Sequence, residues 1–246
     1  MTAPDPTTDG PATPPVVRGL AGKLTAEFVG TAFLLAGVVG SGIMAENLTD
    51  DVGLQLFQNA FATAGILIAL ILALGPASGA HFNPAVTLAD RILGGIDTPT
   101  AISYVVAQVS GGITGVIIAN AMFDLPLVEW STKERSAGNL VFAEAIATIG
   151  LLLVIFGVVR SGKPGVAFAV GGYIGGAYYF TSSTSFANPA VTVARAFSDT
   201  FAGIEPSSVP GFVAAQLVAT VAAIGLIRLI YPRIADVADQ VVVPHG

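Results

Sequence analysis

HFNPAVTLA at 81–89 and FANPAVTVA at 186–194 are near-copies of one stretch, and their reading decides the fold. In Asn83-Pro84-Ala85 and in Asn188-Pro189-Ala190, asparagine suits a helix N-cap and proline the first helical position. Each motif therefore starts a helix. Asn83 to Arg91 is about nine residues, or roughly 13 Å at 1.5 Å per residue, which is about half a bilayer.

Each copy closes a run without charge. The 38 residues between Asp51 and Asp90 contain no acid, lysine or arginine, nor do the 31 between Lys163 and Arg195. Either run is too long for one membrane span and too short for two with a loop between them. The turn formers of GPASGAHFNPAV and TSSTSFANPAV interrupt them, so a full span followed by a re-entrant piece fits. Non-helical backbone at membrane depth is tolerated only where it is buried in protein or lines a wet cavity. These two pieces are expected to line a pore or a binding site.

Composition agrees with a membrane setting. The chain has 246 residues, 53% hydrophobic and only 11% charged, against roughly a quarter charged in a soluble domain. A net charge of −6 without a basic patch argues against nucleic acid as a partner. The absence of cysteine excludes disulfides, thiolate metal sites and cysteine catalysis. His81 and His245 have no second histidine at ligand spacing, and no cofactor or metal is expected.

The sequence predicts an all-α membrane protein of six transmembrane helices plus two re-entrant half-helices. The spans are expected near 24–44, 54–75, 101–123, 139–160, 165–182 and 208–231. Residues 1–19, rich in proline and threonine, read as a disordered tail without the positive start of a secretory signal. A channel domain at 20–233 and a C-terminal tail at 234–246 follow. With both ends inside, the inner segments hold Arg18, Lys23, Arg91, Arg160, Lys163, Arg228 and Arg233, and the outer ones Lys133, Arg135 and Arg195. That bias favours cytoplasmic termini in a multi-pass protein of the cell membrane.

The halves repeat, about 22–123 and 139–231. AEFVGTAFLL at 26–35 resembles AEAIATIGLL at 143–152, and Ala107-Gln108 recurs as Ala215-Gln216. Three spans per half is an odd number, so the second copy inserts upside down, an inverted repeat with a pseudo-two-fold axis in the membrane plane. The two half-helices would then meet N-terminus to N-terminus near the middle. Their dipoles repel cations there, and the asparagine amides offer donors to a neutral solute.

On these motifs, and on SGAHFNPAVTLA at 78–89 with a glutamate in each first span, the chain resembles the aquaporin and glycerol facilitator (major intrinsic protein) family over about residues 22–231. The resemblance implies an aquaporin-like bundle, a pore in every subunit, a homotetramer embedded in lipid, and passive flow of water or small neutral solutes. It casts Asn83 and Asn188 as the central constriction and His81 as the histidine before the first motif. Glu27 and Glu144 match glutamates that bind the backbone of the re-entrant loops.

The departures from the family pattern concern the selectivity filter. Most members carry arginine directly after the second Asn-Pro-Ala, and here that residue is Val191. The same comparison assigns Ser185, Thr63 on the second span and Gly176 on the fifth, which together describe a wide filter without fixed charge. TSSTSFANPAV also resembles bacterial aquaglyceroporin-like channels linked to arsenic detoxification, where valine replaces that arginine. The resemblance thus implies glycerol-like solutes, neutral metalloid hydroxides such as arsenite, and water.

Two other functions compete: a water-selective aquaporin, and a coupled secondary transporter with Glu27 and Glu144 as proton carriers. The matched positions of these glutamates favour structural acceptors instead. Ser182, Ser183 and Ser185 have no base nearby, and GGYIGG at 171–176 has no lysine after it, so hydrolase and nucleotide readings fall away. Arg195 lies four residues after Val191, on the same helix face. It either reaches back toward the outer mouth, or only caps the negative end of the half-helix or pairs with an outer acid such as Asp199; the second reading is favoured.

Overall fold

A computed structural model describes residues 19–161 and 165–234. The expected N-terminal tail apart from Gly19, the expected C-terminal tail apart from Ile234, and Lys163 lie outside the described residues. Ile234 itself is buried against the core.

Among the described residues eight α-helices follow in order: α1 Leu20–Leu48, α2 Val52–Ser78, α3 Pro84–Leu93, α4 Thr98–Met122, α5 Gly138–Arg160, α6 Val166–Phe180, α7 Pro189–Ala194 and α8 Val209–Ile230. Five of the long ones are apolar and long enough to span a bilayer, and α6 is a shorter apolar helix of 15 residues. At 1.5 Å per residue α6 covers about 22 Å, and the turn and loop of residues 181–188 connect it to α7. The half-helices α3 and α7 sit where the two charge-free runs break.

Local chemistry sets the boundaries. Asp51 accepts from the Leu54 amide at 2.9 Å and Asp97 from the Thr100 amide at 2.8 Å, capping α2 and α4. Gly79, with φ of 88°, ends α2 in the left-handed conformation, and Gly94, with φ of 98°, ends α3.

The two repeats pack alike. α1 runs against α4 and α2, α5 runs against α8 and α6, and α2 meets α6 across the pseudo-two-fold. Both half-helices wedge between α4 and α8 and touch each other. The α1–α4 approach is close because Gly111 and Gly115 have no Cβ. A methyl there would collide with the carbonyl oxygens of Phe28 and Ala32. This is the small-residue spacing of four that lets membrane helices touch backbone to backbone. Gly171 does the same for α6, where a Cβ would come within 2.8 Å of the Ala64 carbonyl.

Burial is inverted relative to a soluble protein. Phe33, Phe61, Phe142, Phe168 and Val218 are exposed on the outside, whereas Glu27, Asn59, Gln108, Asn120, Glu144 and Gln216 are buried inside. An apolar exterior around a polar interior belongs to a protein whose solvent is lipid.

Candidate functional site

The two Asn-Pro-Ala turns form the centre of the bundle. Asn83 Oδ1 accepts from the Ala85 amide at 2.8 Å, and Asn188 Oδ1 accepts from Ala190 at 3.0 Å and Val191 at 3.2 Å. Pro84 and Pro189, at the first helical positions, spend no amide on the crowded turn. The asparagine Nδ2 atoms reach across the pseudo-axis. Asn83 donates to the Ala187 carbonyl and Asn188 to the Phe82 carbonyl, both at 2.8 Å. One hydrogen of each amide is used this way, and its second is left for the cavity that both asparagines line.

The turns are strained before they are stabilised. Ala80 and Phe82 ahead of Asn83, and Thr184, Ser185 and Ala187 ahead of Asn188, have φ between 48° and 65°, a region costly for residues with a Cβ. Buried glutamates hold them there. Glu27 accepts from the His81 amide at 3.0 Å, the Phe82 amide at 2.8 Å, Ser78 Oγ at 2.6 Å and Gln108 Nε2 at 2.7 Å. Glu144 accepts from the Phe186 and Ala187 amides, each at 2.8 Å, and from Gln216 Nε2 at 2.7 Å. Gln108 and Gln216 each donate a further bond at 2.9 Å, to Thr87 and Thr192 of the half-helices. The Ala-Gln pair of the repeat is thus a bridge between glutamate and half-helix, a function the sequence reading did not assign.

A cavity runs past both motifs. Leu34, Val38, Leu67 and Ile71 of the first repeat, with Leu151, Ile155, Val170 and Ile174 of the second, form an apolar wall. The two re-entrant loops supply the other wall. Val86 and Val191, three residues after their asparagines, line the cavity at equivalent positions. Pro84, Ala85, Pro189 and Ala190 are buried behind it.

His81 lines the cavity beside the first motif. Its Nδ1 lies 3.0 Å from Thr87 Oγ1 and its Nε2 3.5 Å from Asp90 Oδ2, with Tyr104 edge-on at 5.3 Å. Asp90 was not singled out from sequence, although its spacing of three from Thr87 places both on one helix face. Among the described residues no group of three or more His, Cys, Asp or Glu side chains could hold a metal ion.

At the end of the cavity nearer the α4–α5 connection stand Thr63, Tyr178, Ser185, Val191 and Arg195. Thr63 Oγ1 and the Tyr178 hydroxyl are hydrogen bonded at 3.0 Å. Gly176 is a correction: it is exposed on the outer face of α6 and does not line the cavity. Two residues are about 200° of helix, so the inward face belongs to Ile174 and Tyr178, four apart. Arg195 is buried, donates Nε–H to the Ala202 carbonyl and lies with Cζ 3.5 Å from the centre of the Phe186 ring. Asp199 accepts instead from the Thr132 amide at 2.8 Å, so of the two alternatives for Arg195 the pairing with Asp199 is not formed. Arg135, also missed from sequence, ties the α4–α5 connection to Gly203 O at 2.9 Å and Ser183 O at 3.3 Å.

Inverted three-helix repeats, paired half-helices and a continuous cavity between them define a membrane channel protein. Residues 18–166 match the Major intrinsic protein family, and the chain belongs to it. Aquaglyceroporin AqpS of Rhizobium meliloti (strain 1021) is 48% identical over 206 residues, covering 84% of this chain and 88% of that protein. Aquaporin Z of Brucella melitensis biotype 1 is 38% identical over 96 residues, covering 39% of this chain and 42% of that protein. The X-ray structure of the aquaglyceroporin from Plasmodium falciparum superposes with a TM-score of 0.69 at 22% identity, over 88% of this chain and 99% of that one, and shows the shared fold. The chain is a multi-pass membrane channel for small solutes and not an enzyme.

Proposed function

We propose that the chain passively conducts small neutral polyol-like solutes, glycerol and trivalent arsenic as its neutral hydroxide among them, together with water. The observation that carries this reading is the two-sided cavity. One wall is apolar; the other presents the Asn83 and Asn188 amides and, farther out, the Thr63, Tyr178 and Ser185 hydroxyls. A polyol has the same two edges, C–H on one and O–H on the other, so its hydration is replaced edge by edge. Arsenous acid is an uncharged trihydroxide near neutral pH and presents similar donors and acceptors.

The filter supports solutes larger than water because Val191 stands where most relatives have arginine. The 48% identity to a protein named an aquaglyceroporin points the same way. Both glutamates are saturated with donors from the loops, which supports structural acceptors over proton carriers. We further propose cytoplasmic termini, a homotetramer in lipid, and a channel domain at 20–233. Proteoliposome shrinkage and reswelling with water, glycerol, urea and arsenite, with and without an ion gradient or protonophore, tests the reading. Flux down the solute gradient alone is expected; uphill uptake would make the chain a coupled transporter.

A further inference from the structure

Arg195 stands seven residues after Asn188 and opens the 3₁₀ turn Arg195–Phe197 that closes α7. It is only 2% exposed, an expensive place for a permanent charge inside a membrane protein. Two contacts fix its head: the Ala202 carbonyl accepts from Nε, and the guanidinium lies against the Phe186 ring at 3.5 Å. Helical side chains lean toward the N-terminus, which brings the group back toward Val191. Among the described residues no carboxylate pairs with it, and neither amino group has an acceptor. Both Arg195 and Val191 line the cavity.

Ser185 is an independent pointer to a ligand in the same place. Its Oγ has no hydrogen-bond partner, the residue is 3% exposed, and it lines the cavity beside Arg195. A buried hydroxyl left unpaired costs free energy unless a passing molecule or water satisfies it. Arg135, with Cζ 5.0 Å from the same Phe186 ring, is committed to backbone carbonyls and does not line the cavity. Arg195 is the charge that faces the path.

We infer that Arg195 is a specificity-determining residue of the outer constriction, supplying from one helical turn beyond Val191 the cation that position 191 lacks. An arginine at 191 would project into the passage. From 195 the guanidinium is held against the Phe186 ring, so the charge is present while the width at Val191 is kept. Its free N–H groups, with Ser185 Oγ, offer donors to the hydroxyl edge of a neutral solute, and its charge turns back cations. The inference rests on the neutral-solute reading above.

The test compares wild type, Arg195→Val, Arg195→Lys and the double variant Val191→Arg/Arg195→Val in proteoliposomes. Water and glycerol permeability and potassium leak are measured on protein shown to be folded by its thermal transition. Arg195→Val is expected to raise the potassium leak about tenfold or more and to change the glycerol-to-water ratio. Arg195→Lys should keep the leak low while altering the ratio, because it keeps charge but loses the planar fork. The double variant should restore the low leak and cut glycerol flux. Wild-type leak and an unchanged solute ratio in folded Arg195→Val would overturn the inference. Where Arg195→Val does not fold, an unaltered ratio in Arg195→Lys together with a high leak in the double variant overturns it. If wild type passes water but no glycerol, the polyol reading fails while the potassium leak still decides the function of Arg195.

Discussion

Asn83 and Asn188 each donate a side-chain N–H to the carbonyl just ahead of the other, both at 2.8 Å. Sequence-distant turns are thereby locked into one constriction, and each asparagine also caps its own half-helix. Replacing either one removes a cap, worth about 1 kcal/mol, and orphans a buried carbonyl, worth about 1–3 kcal/mol. Asn83→Ala should therefore lower the thermal transition in detergent by several degrees and raise cation leak in vesicles. An unchanged transition would mean that the reciprocal bonds contribute nothing to folding.

Glu144→Ala should act on folding more than on selectivity. It leaves the Phe186 and Ala187 amides and the Gln216 amide without their acceptor in an apolar interior, at a cost of about 1–3 kcal/mol. Yield of folded protein should fall, with the remaining protein keeping its wild-type ratio of glycerol to water flux. Normal yield combined with loss of a proton-driven flux would instead mark Glu144 as a carrier.

At the start of α4, the Thr100 side chain and then its amide, which donates to Asp97 at 2.8 Å, hold the pKa of the exposed Asp97 carboxyl below the usual carboxylate value. A depressed pKa means that the charged form is bound more tightly in the folded state. The stabilisation is present above the unfolded pKa and is lost as pH falls through the folded one. Exchange of the Thr100 amide should accelerate in acid, and Asp97→Asn should flatten that dependence. A pH-independent opening rate for this turn, after correction for intrinsic exchange, would contradict the assignment.

Much of the architecture was readable because membrane burial writes itself into charge. The two long charge-free runs ending in Asn-Pro-Ala marked α2 with α3 and α6 with α7, and the structure ends these helices within a few residues of expectation. Contacts carried by loops were not readable. Asp199, four residues away, was one partner the sequence offered Arg195; Phe186 and Ala202 reach it only through the folded re-entrant and following segments. Gly176 failed for a different reason. Counting along an apolar helix from a related family preserves position but not phase, and two residues carry the count to the opposite face. Gly111 and Gly115 carried a signal that was overlooked, a spacing of four in an apolar span.

Val191→Arg places a second guanidinium in the passage and narrows it. Water flux should largely survive, while glycerol and arsenite flux should fall about tenfold or more, a barrier increase of about 1.4 kcal/mol. An unchanged ratio of large-solute to water permeability would show that position 191 does not set the width.

The central claim is passive conduction of small neutral solutes through the cavity between Asn83 and Asn188. Its most direct test is stopped-flow light scattering of proteoliposomes carrying the wild-type chain, challenged in parallel with sucrose, glycerol, urea and arsenite. The account predicts shrinkage in sucrose, then fast reswelling in glycerol and arsenite that exceeds protein-free vesicles and ignores ion gradients and protonophores. Fast water flux with glycerol and arsenite reswelling at the protein-free rate would contradict it.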